Sequence, residues 1–232
     1  MDRGKLIVLV VVLMLSIGAY VTEATAGVSP LSACGSVGTG SYELTQNIST
    51  TGTCFTFTGD DITIDLNGFT IDGDDNNAVY GITEGVASRQ NIVIRNGTIR
   101  DFNTAGINLP TSDGCMVEWI LAFSNNNDGI DVGNHCNVSH NIAINNSVGI
   151  RTGSDSNISY NIANNNGSAG IGLIPGGNNV GSNISYNTAN GNVNFGINVI
   201  CPSNLVENTA QNNGVANLNQ QGPGCKRYNN LF

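Results

Sequence analysis

The chain has 232 residues and a formal net charge of −9, with 17 acidic side chains against 8 basic ones and only 11% charged residues in all. A surface of that sign without a basic stripe repels phosphate backbones and anionic headgroups, which disfavours nucleic acid and acidic lipid as partners. Hydrophobic residues make up 40%, enough to build one packed domain.

The first segment reads as a secretory signal peptide over residues 1–26. Arg3 and Lys5 precede the apolar run Leu6 to Ile17, and Ala24-Thr25-Ala26 supplies a small-residue cleavage site. From Leu6 to Val21 there are 16 residues, short of the roughly 20 that a membrane span needs, so cleavage is expected and an uncleaved anchor is the alternative. The mature chain, residues 27–232, keeps 15 acidic and 6 basic side chains. It is expected outside the cytoplasm, secreted or in the cell envelope, with no membrane span after cleavage.

Beyond the signal, Tyr42 to Ile48, Cys54 to Phe57, Asp61 to Leu66, Phe69 to Ile71 and Asn91 to Arg100 are short candidate strands rich in β-branched and aromatic residues. A repeat then becomes explicit. Gly-Ile recurs at Gly81, Gly106, Gly129, Gly149, Gly170 and Gly196, at intervals of 25, 23, 20, 21 and 26 residues. A period of that size marks a solenoid whose units stack on one another. The coils also align on an alanine column, as in Cys136-Asn137-Val138-Ser139-His140-Asn141-Ile142-Ala143 and Ser156-Asn157-Ile158-Ser159-Tyr160-Asn161-Ile162-Ala163. Asn141, Asn161, Asn187 and Asn208 form one asparagine column, and Asn125, Asn146, Asn166, Asn192 and Asn213 a second. Such columns predict side-chain amide ladders at bends, with the asparagines in the left-handed conformation. Seven asparagines head N-x-Ser/Thr triplets (for example Asn137, Asn157 and Asn183), read as ladder and turn residues before glycan sites. Seven or eight coils at about 4.8 Å give a rod on the order of 35 Å long. End caps are expected near residues 34–57 and 212–232, because open coils expose strand edges.

All six cysteines lie in the exported part, and an even count outside the cytoplasm favours disulfides over zinc. Pairing is not fixed by sequence. Separations of about one repeat favour Cys34 with Cys54, Cys115 with Cys136, and Cys201 with Cys225.

The run Asp61-Ile-Thr-Ile-Asp-Leu-Asn-Gly-Phe-Thr-Ile-Asp72, then Asn91-Ile-Val-Ile-Arg-Asn-Gly-Thr-Ile-Arg100 and the Gly-Ile coils, resembles the right-handed parallel β-helix repeat proteins of the pectate-lyase-like superfamily, including NosD-type and alginate-epimerase-type members. The resemblance covers nearly all of the mature chain. It implies an all-β, single-stranded right-handed parallel β-helix. It is poor in chemistry, because that superfamily holds lyases, hydrolases, epimerases, adhesins and accessory proteins.

In each Gly-Ile strand the residue after isoleucine should face outward, which gives the column Thr83, Asn108, Asp131, Arg151, Gly172 and Asn198. Asp131 and Arg151 then meet on adjacent coils near Asp128, His135 and Asp155, the densest ionisable patch of the repeats. A lyase or epimerase acting on an acidic uronan must neutralise a carboxylate and move the neighbouring proton. In that scheme Asp128 and Asp131 would hold Ca²⁺, Arg151 would neutralise or deprotonate, and His135 would shuttle the proton. The plainer reading of Asp131 and Arg151 is a cross-coil ion pair. Relative to the epimerase-like pattern, Asp128-Gly-Ile-Asp131-Val-Gly-Asn-His135 lacks a leading tyrosine and a proline, which counts against that activity. Trp119, His140, Tyr160 and Tyr186 share a column that could form a sugar-binding strip with Asn108, or simply stack at a corner. The sequence thus predicts a monomeric protein that binds a polysaccharide or cell-surface glycan along an outward sheet face. The alternative is a uronan lyase or C5-epimerase using Ca²⁺. A NosD-like role in copper-site maturation is disfavoured by the lack of Met or His clusters.

Overall fold

The structure is a computed structural model that describes residues 27–173 and 181–232; the expected signal peptide, residues 1–26, lies outside the described residues. The chain winds as a single-stranded right-handed parallel β-helix of about eight turns. One nine-stranded parallel sheet runs from Gly35–Val37 through Phe55–Phe57, Tyr80–Thr83, Ala105–Asp113, Asp128–Asn134, Val148–Thr152, Ala169–Leu173 and Phe195–Ile200 to Ala216–Gln221. The Gly-Ile strands belong to this sheet, here called sheet B. The other sheet, sheet A, bends round a corner and so supplies two sides of a three-sided coil. Its first side carries Ile92–Arg100, Met116–Phe123, Asn137–Ser139, Asn157–Ser159, Asn183–Ser185 and Asn204–Val206, and its second side carries Ile142–Ile144 and Ile162–Asn164. No helix among the described residues is long and apolar enough to cross a membrane.

The repeat is explained by what each column meets inside. Ile82, Ile107, Ile130, Ile150, Ile171 and Ile197 are fully buried, as are Val117, Val138, Ile158, Ile184 and Leu205 from sheet A and the alanine column Ala122, Ala143, Ala163, Ala189 and Ala210. Asparagine Oδ1 accepts from the backbone N–H and side-chain amide of the preceding coil, as in Asn141 N and Nδ2 to Asn161 Oδ1 (2.9 and 3.1 Å). Its Nδ2 donates to the next ladder amide and to a carbonyl of the coil before it, as Asn161 does to Asn187 Oδ1 and Val138 O. The amide is therefore saturated away from water, which is what makes a buried polar ladder tolerable. The Gly-Ile dipeptide and the second ladder specify each other. A Cβ at Gly129 would lie 2.8 Å from Asn146 Nδ2, and one at Gly149 2.7 Å from Asn166 Nδ2.

The expectation that the ladder asparagines are left-handed is corrected. The positive φ falls one residue earlier, at His140, Tyr160, Tyr186, Ser124, Asn145, Asn165 and Asn212 among others. A ladder amide must point into the coil from extended backbone, so the bend is made by its predecessor.

Cys34–Cys54, Cys115–Cys136 and Cys201–Cys225 are bonded, each joining neighbouring coils. Beyond Cys136 the same column continues as serine. Ser156 Oγ accepts from Cys136 N–H at 3.2 Å, and Ser182 and Ser203 repeat the contact. The segments expected as caps carry strands in register with the body. Gly35–Val37 pairs with Phe55–Phe57 at one end, and Lys226–Tyr228 pairs with Asn204–Val206 at the other.

Candidate functional site

The outward column of sheet B is in register as the sequence predicts: Thr83 beside Asn108, Asn108 beside Asp131, Asp131 beside Arg151, Arg151 beside Gly172, and Gly172 beside Asn198. The ion pair, however, forms differently from the expected Asp131–Arg151 contact. Arg151 Nη2 lies 2.9 Å from Asp128 Oδ1, three residues upstream on the same strand as Asp131. The contact is one of charge, since Asp128 Oδ1 makes no directed hydrogen bond.

Asp131 is 6% exposed, and its Oδ1 has no hydrogen-bond partner. Burial pushes its carboxyl up to about 7; Asp128 and Glu84 push the same way and Arg151 opposes them. Burial also lifts the Asp128 carboxyl, to about 6, against the attraction of Arg151. Two neighbouring acids at the edge of neutrality beside one guanidinium can exchange protons with a ligand at physiological pH.

His135 stands apart from this chemistry. It is exposed, its Nδ1 meets Asp113 Oδ1, and its Nε2 lies 3.7 Å from Asp155 Oδ2. The hydrogen bond and charge of Asp113 raise its pKa. His135 is thus engaged with the turn acids and makes no ion pair with Asp128 or Asp131. As for a metal, no three or more His, Cys, Asp or Glu side chains among the described residues come together as a cation site. Asp128 and Asp131 would have to hold Ca²⁺ as a pair, with Arg151 already beside one of them.

Two features were not singled out from sequence. Gly172 leaves a gap in the outward column, opening a groove of about 300 Å³ lined by Val148, Arg151, Ser168, Phe195 and Asn198. Among the described residues, a Cβ there would touch only Val148 Cγ1, at 3.9 Å. The sequence signal was present, a glycine where other coils carry polar side chains, but glycine alone does not announce a cavity. The second is Glu84, buried at 4% exposure and held by Thr111 N–H and the hydroxyls of Thr111 and Ser112.

Trp119, His140, Tyr160 and Tyr186 lie elsewhere, at the corner of sheet A. Their rings stack in order, with centroids 4.4, 5.1 and 4.8 Å apart and interplanar angles of 18°, 11° and 2°. Asn108 belongs to sheet B, where its Nδ2 donates to Thr83 Oγ1, so the expected strip divides between two faces. All four corner residues are left-handed, with φ from 56° to 58°. That conformation costs a bulky residue about 1–2 kcal/mol, which a stacked pair at about 0.5–1.5 kcal/mol offsets only in part.

No family model and no curated protein matches the sequence. Among solved structures, the A-module of the mannuronan C-5 epimerase AlgE4 from Azotobacter vinelandii superposes with a TM-score of 0.53, at 14% identity, over 82% of this chain and 68% of that one. The AlgE6 A-module of the same organism gives 0.45 at 14% identity, over 82% and 69%. The first likeness shows a shared β-helix fold.

Proposed function

We propose that the protein is a carbohydrate-binding β-helix acting outside the cytoplasm as a monomer, with its ligand seated on the outward face of sheet B over Gly172. The observation that carries this reading is the groove itself: a guanidinium, an amide and an aromatic ring converge on an opening made by one missing side chain. A cation and an amide for ring oxygens and carboxylates, with an apolar patch for C–H faces, is the mixture that sugar recognition requires. Three disulfides suit an oxidising compartment, and a solved epimerase module of the same fold acts, by its name, on mannuronan. An acidic polysaccharide is therefore the first ligand class to test.

The test is calorimetric titration with oligomers of alginate and pectate. A Cβ at Gly172 meets no backbone among the described residues within 4 Å, so Gly172→Leu should fill the groove and abolish binding while leaving the thermal midpoint within about 2 °C. Equal affinity in wild type and Gly172→Leu would refute the assignment.

A second reading is favoured by the raised carboxyl of Asp131, which could give or take a proton at neutral pH: a uronan lyase or C5-epimerase. Incubation with alginate or pectate and Ca²⁺ would then yield unsaturated or epimerised product, lost in Asp131→Asn. Binding without product favours the first reading.

A further inference from the structure

The first side of sheet A carries a second periodic surface that the groove does not use. Along each coil two side chains face outward, asparagine and then serine: Asn137 and Ser139, Asn157 and Ser159, Asn183 and Ser185, all in register. Asn157 and Asn183 are exposed, whereas Ser139 and Ser159 are 6% and 7% exposed. Beyond the serines stands the aromatic corner, with Trp119, Tyr160 and Tyr186 exposed by 59%, 52% and 42%. Asparagine wall, serine floor and aromatic wall together make a shallow trough parallel to the solenoid axis. Its repeat is the strand spacing of about 4.8 Å.

Over the three Asn–Ser coils the trough is uncharged, whereas on the coil of Trp119 the floor position is Glu118 and beyond Ser185 it is Val206. From Asn137 to Val206 its two outward columns hold no carboxylate, lysine or arginine, on a protein whose net charge is −9. The amides pair along the axis, Asn157 Nδ2 to Asn137 Oδ1 at 3.0 Å and Asn204 Nδ2 to Asn183 Oδ1 at 2.9 Å. The faces of His140 and Tyr160 are covered by their stacking neighbours. What the rings offer is a continuous edge, the electropositive part of an aromatic quadrupole, which suits oxygen acceptors. Nor does the bend demand these residues, since Asn96, Glu207 and Asn229 adopt the same left-handed conformation before the equivalent turns of other coils. Asparagine, which adopts that conformation at lower cost, was open at each aromatic position.

We propose that this trough binds an uncharged, hydroxyl-rich polysaccharide lying along the solenoid axis, its oxygens meeting the asparagine amides, the serine hydroxyls and the ring edges. The match of an uncharged face to an uncharged polymer, one repeat against another, is the basis of the assignment. It stands independently of the sheet B groove, which is assigned an acidic ligand and different residues.

The experiment is affinity electrophoresis of the mature protein in gels containing hydroxyethylcellulose, xylan or dextran, with pectate as the acidic counterpart. Wild type is expected to be retarded by at least one neutral polymer. Tyr160→Asn/Tyr186→Asn places in the bend a residue that Asn96 and Asn229 already place there, so the coil is preserved; it should weaken retardation about tenfold or more. Asn157→Ala/Asn183→Ala, on the exposed wall, should weaken it as well. Val86→Ser, at a fully exposed position outside both surfaces, should leave it unchanged. Absence of retardation in every neutral gel, or retardation that both double variants retain, would overturn the proposal. Retention of pectate alone would do the same, while leaving the groove reading intact. Loss of pectate binding with neutral binding kept would refute only the groove.

Discussion

Asn161 ties three coils together: its Oδ1 accepts from the N–H and the amide of Asn141, and its Nδ2 donates to Asn187 and to Val138 O. Asn161→Leu would fill the space but orphan Asn141 N–H and Val138 O on the preceding coil, while Asn187 Oδ1 keeps the bond from the backbone N–H of residue 161. At about 1–3 kcal/mol for each unsatisfied group, it should lower unfolding stability by about 3–5 kcal/mol in urea titration. Asp131 works in the opposite sense. An unfolded aspartate titrates near 3.9, whereas this carboxyl is raised to about 7 and that of Asp128 to about 6. Between these limits the folded chain holds protons that the unfolded chain has released, so stability falls as pH rises from about 4 to 7. The raised His135 adds a loss of the same sign as pH rises through and above its ordinary range near 6.5. Thermal midpoints measured from pH 5 to pH 8 should therefore decline, and Asp131→Asn should flatten the decline and stabilise the protein at pH 8. A midpoint that climbs over this range would contradict the burial assigned to Asp131.

At the scale of the coil, glycine has two meanings that sequence cannot separate. Gly149 has the ladder against it, with Gly170 O at 2.6 Å and Asn166 Nδ2 at 2.7 Å from a Cβ placed there, whereas a Cβ at Gly172 would meet, among the described residues, only Val148 Cγ1 at 3.9 Å. Gly149→Ala should cost about 2 kcal/mol or more through overpacking, and Gly172→Ala should be nearly neutral; parallel denaturant melts of the two variants decide it. The period, the inward isoleucines, the amide columns and the disulfide spacing were all legible, because each repeats and a repeat in register constrains its neighbours. Three things were not. The bend residue was displaced by one position, since sequence shows that a corner exists but not which φ turns it. Arg151 was matched with Asp131 from coil register alone, while its reach brings it to Asp128. The groove arises from an absence, and an absence has no motif.

For the whole molecule, the end strands of the two sheets among the described residues are the hazard that a solenoid must manage. The first strand of sheet A carries Pro30, which cannot donate to a further strand. The last places Arg227 beneath Leu205, in the inward column. A charge where another coil would need an apolar side chain opposes end-to-end stacking, and Arg227→Leu should shift sedimentation velocity profiles towards elongated oligomers. The long faces are then left for ligands, and the proposed sugar site is the face of sheet B over Gly172. A crystal of the intact protein soaked with an oligouronate tests this most directly. An ordered sugar above Gly172, within hydrogen-bond reach of Arg151 and Asn198, is expected. An empty groove at saturating oligouronate, or sugar ordered only elsewhere, would contradict it.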